Sequence, residues 1–165
     1  MRLRYLLDTN ICVYIAKSRP DSVLQRFRQL RVGEVAMSVI THGELCYGAS
    51  KSRRRDEAKK TLVELASMIP ILPLTPEVGE QYGTIRSELE GSGRPIGNND
   101  LWIAAHAFAL GVALVTNNAR EFKRIRGLEV ENWVEGDGVS SVHETKRTYR
   151  TRRLTERPRK FGIGD

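Results

Sequence analysis

The ten residues from Leu101 to Leu110 include one polar side chain, His106, and the run stops at Gly111, where Val112-Ala113-Leu114-Val115 follows at once. A helix apolar nearly all round has to be covered on every side, so this stretch predicts a central buried helix, and four apolar residues after a glycine stop predict a buried strand. The rest of the chain keeps that alternation. Leu3 to Leu7 reads as a first strand, followed by helices over Ile11 to Ala16 and Ser22 to Leu30; Pro20 stops the first of these, and Asp21 or Ser22 can cap the second. Val35 to Met37 is a short strand that passes through Ser38, a good N-cap, into a helix of Val39 to Ala49. Ile69 to Leu74 is an apolar run broken by prolines, hence an edge strand or a strand end. From Pro76, Val78, Tyr82, Ile85 and Leu89 mark a helical stripe ended by Gly91-Ser92-Gly93, and a last strand at Leu128 to Val130 ends near Trp133. Strands alternating with helices predict an α/β fold, a central and mainly parallel sheet flanked by helices.

With 165 residues, 40% of them hydrophobic, the chain can bury one core, and we expect one domain over residues 1–135. Beyond it, residues 136–165 lose apolar periodicity and read as a disordered basic tail. The chain carries a net charge of +7, of which the tail, with 8 basic and 4 acidic side chains, supplies +4; such a balance favours polyanionic partners. The two cysteines, Cys12 and Cys46, sit among apolar neighbours as reduced thiols, which suits a reducing cytosol. No apolar run approaches the roughly 18 to 20 residues that span a bilayer, and a signal-peptide core is lacking, so the expectation is a cytoplasmic protein without membrane association.

Chemistry is expected where acids stand at the ends of these elements. Asp8 follows the first strand, Glu44 shares a largely apolar helix face with Ile40, Tyr47 and Gly48, Asp100 opens the central helix after Gly97-Asn98-Asn99, and Thr116-Asn117-Asn118 follows the Val112–Val115 run. Taken singly, Asp8 is accounted for as a helix cap and Asp100 as a first-turn aspartate, features worth about 0.3 to 2 kcal/mol of stability. Taken together, several acids round one cleft repel one another unless a cation sits among them, and hard oxygen donors suit Mg²⁺ or Mn²⁺. His42, His106 and His143 form no zinc-type pair, and no glycine-rich phosphate loop is present. His106, six residues past Asp100, turns to another face of the helix and is assigned a packing role. The charge-rich Lys51 to Lys60 reads as a solvated helix start continuing to Met68, with an RNA-contacting patch as the alternative.

Four blocks, LLDTNICVYI at the start, SVITHGELCYGA around Glu44, GRPIGNNDLWIAAHA around Asp100 and LVTNNAREFKRIRGLEVENW near residue 134, resemble PIN-domain ribonucleases, specifically the VapC toxins of bacterial toxin–antitoxin pairs. The resemblance spans about residues 3 to 134 and implies a PIN-like domain, metal-binding carboxylates at Asp8 and Asp100, and a further active-site acid at Glu44 that also binds metal or positions water. Many members carry a fourth acid where this chain has Asn118, so the resemblance implies a site completed by the Asn118 carbonyl oxygen or by Glu121 acting through water. What the resemblance implies is a Mg²⁺-dependent endoribonuclease toxin (Mn²⁺ as the substitute ion) that hydrolyses RNA, including structured RNA such as tRNA. It also implies a homodimer silenced by a cognate VapB-like antitoxin. A PIN-like protein that binds nucleic acid without cutting it and a DNA-directed metal nuclease are the alternatives.

Overall fold

The structure is a computed structural model, and it describes residues 2–135. The tail expected over residues 136–165 lies outside the described residues. Five short strands, β1 (Tyr5–Leu7), β2 (Val35–Ser38), β3 (Ile71–Leu72), β4 (Ala113–Val115) and β5 (Val130–Glu131), pair in the order β3-β2-β1-β4-β5, and every pairing is parallel. Parallel neighbours need crossovers, which seven helices supply: α1 (Thr9–Lys17), α2 (Asp21–Arg28), α3 (Val39–Lys51), α4 (Arg55–Met68), α5 (Pro76–Gly91), α6 (Asn98–Leu110) and α7 (Ala119–Phe122).

Successive strand residues point to opposite faces of the sheet, and the core divides accordingly. Tyr5, Leu7, Val35, Met37, Ala113 and Val115 join Ile11 and Ile15 of α1, Phe27 of α2, Leu45 of α3 and Leu65 of α4 in one apolar layer. Leu6, Ala36 and Leu114 join Val78, Ile85 and Leu89 of α5, Ile103 and Ala104 of α6, and Phe122 in the other. Strands buried on both faces read as continuous apolar runs, which is why β1 and β4 were conspicuous in the sequence. The central helix is α6 as expected, with Leu101, Ile103, Ala104, Ala105, His106 and Ala107 all buried. It closes at Gly111, whose φ of +64° places it in the left-handed region and turns the chain directly into β4.

Some boundaries differ from the sequence reading. The residue before α2 is Pro20, which makes no side-chain cap, so Asp21 lies in the first turn instead of capping it. The last strand is Val130–Glu131, displaced from Leu128–Val130, and the Ile69–Leu74 run is an edge strand of two residues, Ile71–Leu72. With so few hydrogen bonds each, these edge elements leave little periodicity to read. Ser38 does cap α3, its Oγ accepting from the Ile40 N–H at 3.2 Å.

Candidate active site

In strand order 3-2-1-4-5, chain progression reverses between β1 and β4, and a crevice opens past the carboxyl ends of strands at such a point. The Leu7–Val115 pairing sets the residues after both strands side by side: the Asp8 N–H donates to the Val115 carbonyl at 2.9 Å. The Thr116 hydroxyl then donates to Asp8 Oδ2 at 2.7 Å, and the Thr9 N–H donates to Asp8 Oδ1 at 2.7 Å. Asp8 is therefore both the cap of α1 and a carboxylate fixed at both oxygens, with 4% of its surface exposed.

The other two acids come from helices on different sides of that crevice. Glu44 projects from α3, where the Thr9 hydroxyl donates to Oε2 and Asn99 Nδ2 donates to Oε1 at 3.0 Å, so α1, α3 and α6 meet on one side chain. Asp100 lies in the first turn of α6, next to Asn99. Burial pushes its carboxyl up to about 6, and the charges of Asp8, Glu44 and Glu121 push in the same direction. Burial also raises Asp8, against the lowering effect of its bonds from Thr116 and the Thr9 N–H, while the Glu44 charge adds to the rise. Asp8 thus lies within electrostatic reach of Glu44, and Asp100 within reach of both.

Asn118 has a backbone role. It precedes α7 without a side-chain cap, and its N–H donates to Thr116 Oγ1 at 3.0 Å, steadying the hydroxyl that holds Asp8. The fourth acid felt at Asp100 is Glu121. Thr9 and Asn99 were not singled out in the sequence, although each directly adjoins a candidate acid. His106 is buried, with its Nδ1 3.0 Å from Ser38 Oγ, in keeping with a packing role, and Cys12 and Cys46 are free thiols.

The donor set is oxygen throughout, and Asp8 and Asp100, whose pKa values burial and neighbouring acids raise, are relieved by a cation; the residues present fit a hard divalent ion. Among the described residues no three His, Cys, Asp or Glu side chains close round an ion by themselves. An ion held by one or two carboxylates completes its coordination with water or substrate oxygens, which is the habit of Mg²⁺. At the rim, Asn10, Asn99 and Asn117 are exposed; Asn10 Nδ2 donates to Asn117 Oδ1 at 3.3 Å and Asn117 Nδ2 to the Tyr14 hydroxyl at 2.8 Å. A cavity of about 210 Å³ lies at the start of α6, lined by Arg86, Leu89, Glu90, Ile96, Asn98 and Leu101 among others. Of the three acids Asp8 is buried, while Glu44 and Asp100 are partly exposed.

The profile of the PIN domain matches residues 5–128. Ribonuclease VapC2 of Haemophilus influenzae is 44% identical over 132 residues, covering 80% of this chain and 99% of that protein. The tRNA(fMet)-specific endonuclease VapC of Shigella flexneri is 41% identical, covering 79% of this chain and 98% of its own length. Among solved structures, VapBC2 from Rickettsia felis bound to a DNA fragment from their promoter superposes with a TM-score of 0.74 at 42% identity, over 79% of this chain and 99% of that one. With its all-parallel sheet, its crevice beside Asp8 and these relatives, the chain belongs to the PIN domain family, among the VapC proteins.

Proposed function

We propose that this chain is a divalent-metal-dependent endoribonuclease toxin that hydrolyses RNA phosphodiester bonds in the cytoplasm, acts as a homodimer and is silenced by a VapB-like antitoxin. The observation that carries the reading is that Glu44 is bonded by Thr9, the neighbour of Asp8, and by Asn99, the neighbour of Asp100, so that three elements bring their acids to the switch point of the sheet. Asp8 and Asp100 would hold the metal, and Glu44, already bonded at both oxygens by Thr9 and Asn99, would orient the attacking water or a second ion. Mg²⁺ held there would supply acidified water and offset charge building on the phosphodiester oxygens. The protein's own part is to fix Asp8 through Thr116 and the Thr9 N–H and to keep Glu44 in one rotamer. The name of the Shigella relative supports a structured RNA such as tRNA as substrate, and the VapBC pairing of the Rickettsia neighbour supports a VapB-like partner.

Incubating the purified chain with total RNA in Mg²⁺, in Mn²⁺ and in EDTA tests this reading. Cleavage is expected with either ion and absent in EDTA. Asp8→Asn and Asp100→Asn should each lower turnover at saturating RNA by about 10² or more, the scale on which a misheld electrostatic group costs an enzyme. Products formed equally in EDTA would remove the metal from the proposal, and RNA binding without products would favour the non-cleaving alternative. Cleavage of DNA in preference to RNA would move the substrate class.

A further inference from the structure

The Thr9 and Asn99 bonds show that the Glu44 side of α3 faces the acids. Residues three and seven further along, Tyr47 and Lys51, share that side of a 3.6-residue helix, and Lys51 lies about 10 Å along the axis from Glu44. Tyr47 is 65% exposed, an unusual cost for an aromatic ring, and Lys51 Nζ stands 5.4 Å from its centroid. The chain then turns through Ser52, whose Oγ accepts from the Arg54 N–H at 3.1 Å, into α4. Here the stretch from Lys51 to Lys60 presents Lys51, Arg53, Arg54, Arg55, Lys59 and Lys60, all exposed. Six basic against two acidic residues give this stretch a net charge of +4, whereas residues 1–135 as a whole hold 19 basic against 16 acidic, a net of +3. The rest of residues 1–135, 13 basic against 14 acidic, is therefore nearly balanced, and this segment carries the net positive charge. Asp56 and Glu57 lie in the first turn of α4, where they complement the helix dipole, and among the described residues only Arg54 of the six basic side chains is in an ion pair, 3.5 Å from Glu57.

We propose that Tyr47, Lys51, Arg53 and Arg55 form the track along which a single-stranded stretch of the RNA leaves the acidic crevice, a base stacking on the Tyr47 ring and the following phosphates meeting the cations. The inference rests on the nuclease reading above and adds to it where the strand runs. A flat aromatic face beside long, solvated cations is the pairing used for sequence-tolerant binding of single strands, and the net charge of +4 over Lys51 to Lys60 fits a polyanion. The track also offsets an electrostatic difficulty of the site, since a polyanion has to approach clustered carboxylates and gains a counter-field along the same helix.

The test uses the full chain and a short labelled single-stranded RNA, with affinity measured in EDTA across a salt series so that no cleavage intervenes. Lys51→Glu, Arg53→Glu and Arg55→Glu combined should weaken binding about tenfold or more at low salt and reduce the slope of log affinity against log salt by about 0.7 for each phosphate that is no longer neutralised. Tyr47→Ser should weaken binding about fivefold or more with the slope unchanged, and Tyr47→Trp should restore it. In Mg²⁺ the effect of each variant should fall on KM rather than kcat. Circular dichroism melts check that these exposed substitutions leave the fold intact. Wild-type affinity and slope in both the charge and the aromatic variants would overturn the track. Unchanged RNA affinity with abolished binding of an acidic protein partner would reassign the surface to that partner. Because binding is read without cleavage, a wild-type chain that cuts no RNA would defeat the nuclease reading while leaving the track to be decided on affinity.

Discussion

Asp100 shows how a residue serves a site at the expense of the fold. Its carboxyl is half-buried and pushed up to about 6, so keeping it ionised at neutral pH costs the folded chain at most about 3 kcal/mol, and about 1 kcal/mol once solvent screening is counted. Asp100→Asn removes that charge while keeping the shape, and it should raise the metal-free melting temperature by about 2 to 5 °C. Mg²⁺ should then stabilise the wild type and leave the variant unmoved, because binding to the folded state alone is what raises stability. A variant that melts below the wild type without metal, or a Mg²⁺ shift of equal size in both, would sink the assignment. Asp8, Glu44 and Asp100 were legible in the sequence because a carboxylate at the end of an apolar run, or on an apolar helix face, has no cheap place to go. The bonds that aim them were not: Thr9 reaches Glu44 across 35 residues and Asn99 across 55, and nothing local announces either. Asn118 illustrates the same limit, since its bond to Thr116 is made by a backbone N–H that any residue but proline would provide.

At the level of elements, α6 is the piece that the sequence revealed most fully and that the site depends on most. Its apolar circumference fixed its central place, and its N-terminal turn carries Asn99 and Asp100 to the crevice. The edge strands were less legible: the two residues of β3 and the two of β5 become strands through their partners, and sheet pairing is a property of the assembled layer. A polar link also ties α6 to the start of α3, where buried His106 meets Ser38, the residue that caps α3. Burial lowers the His106 pKa below its ordinary value near 6.5, so the folded chain prefers the neutral ring. The stability this contributes is fully present above pH 6.5 and is lost as pH falls through that value toward the folded pKa, because the unfolded chain takes up the proton first. Asp100 works in the opposite sense over part of the same range, since its raised pKa makes the folded chain the better proton acceptor as pH falls through about 6. Comparing the wild type with His106→Asn cancels the Asp100 effect. The wild type should lose more urea stability than the variant between pH 7.5 and 5.5, although the variant starts lower by about 1 to 3 kcal/mol for the truncated core side chain. Parallel pH profiles for the two proteins would show that His106 takes no proton on unfolding and would remove the switchable link between α3 and α6.

On the scale of the whole molecule, we propose that the folded unit can be cut just past the sheet's last described contacts. Trp133 is 4% exposed, packs edge-on against Tyr5 with ring centroids 5.3 Å apart, and donates from Nε1 to Glu131 at 2.8 Å, so it belongs to the core begun by the first strand. Nearby, Ser22 Oγ donates to the Val134 carbonyl at 3.2 Å and Arg26 pairs with Glu131 at 3.5 Å, fastening the segment to α2. Charge is arranged on a different plan from packing: residues 136–165 hold +4 of the chain's +7, about as much as the Lys51–Lys60 stretch. Ending the chain after Glu135 keeps Trp133 and every bond just named, and it removes 8 basic side chains. The melting temperature and the turnover at saturating RNA should therefore stay close to those of the full chain. Affinity for RNA should fall at low salt, with a log–log salt slope smaller by about 0.7 for each phosphate the segment neutralised, and the difference should vanish as salt screens the remaining charges. Identical slopes for the two lengths would leave the segment without a role in RNA binding. A large drop in melting temperature would instead place part of residues 136–165 inside the folded unit and move its boundary beyond Glu135.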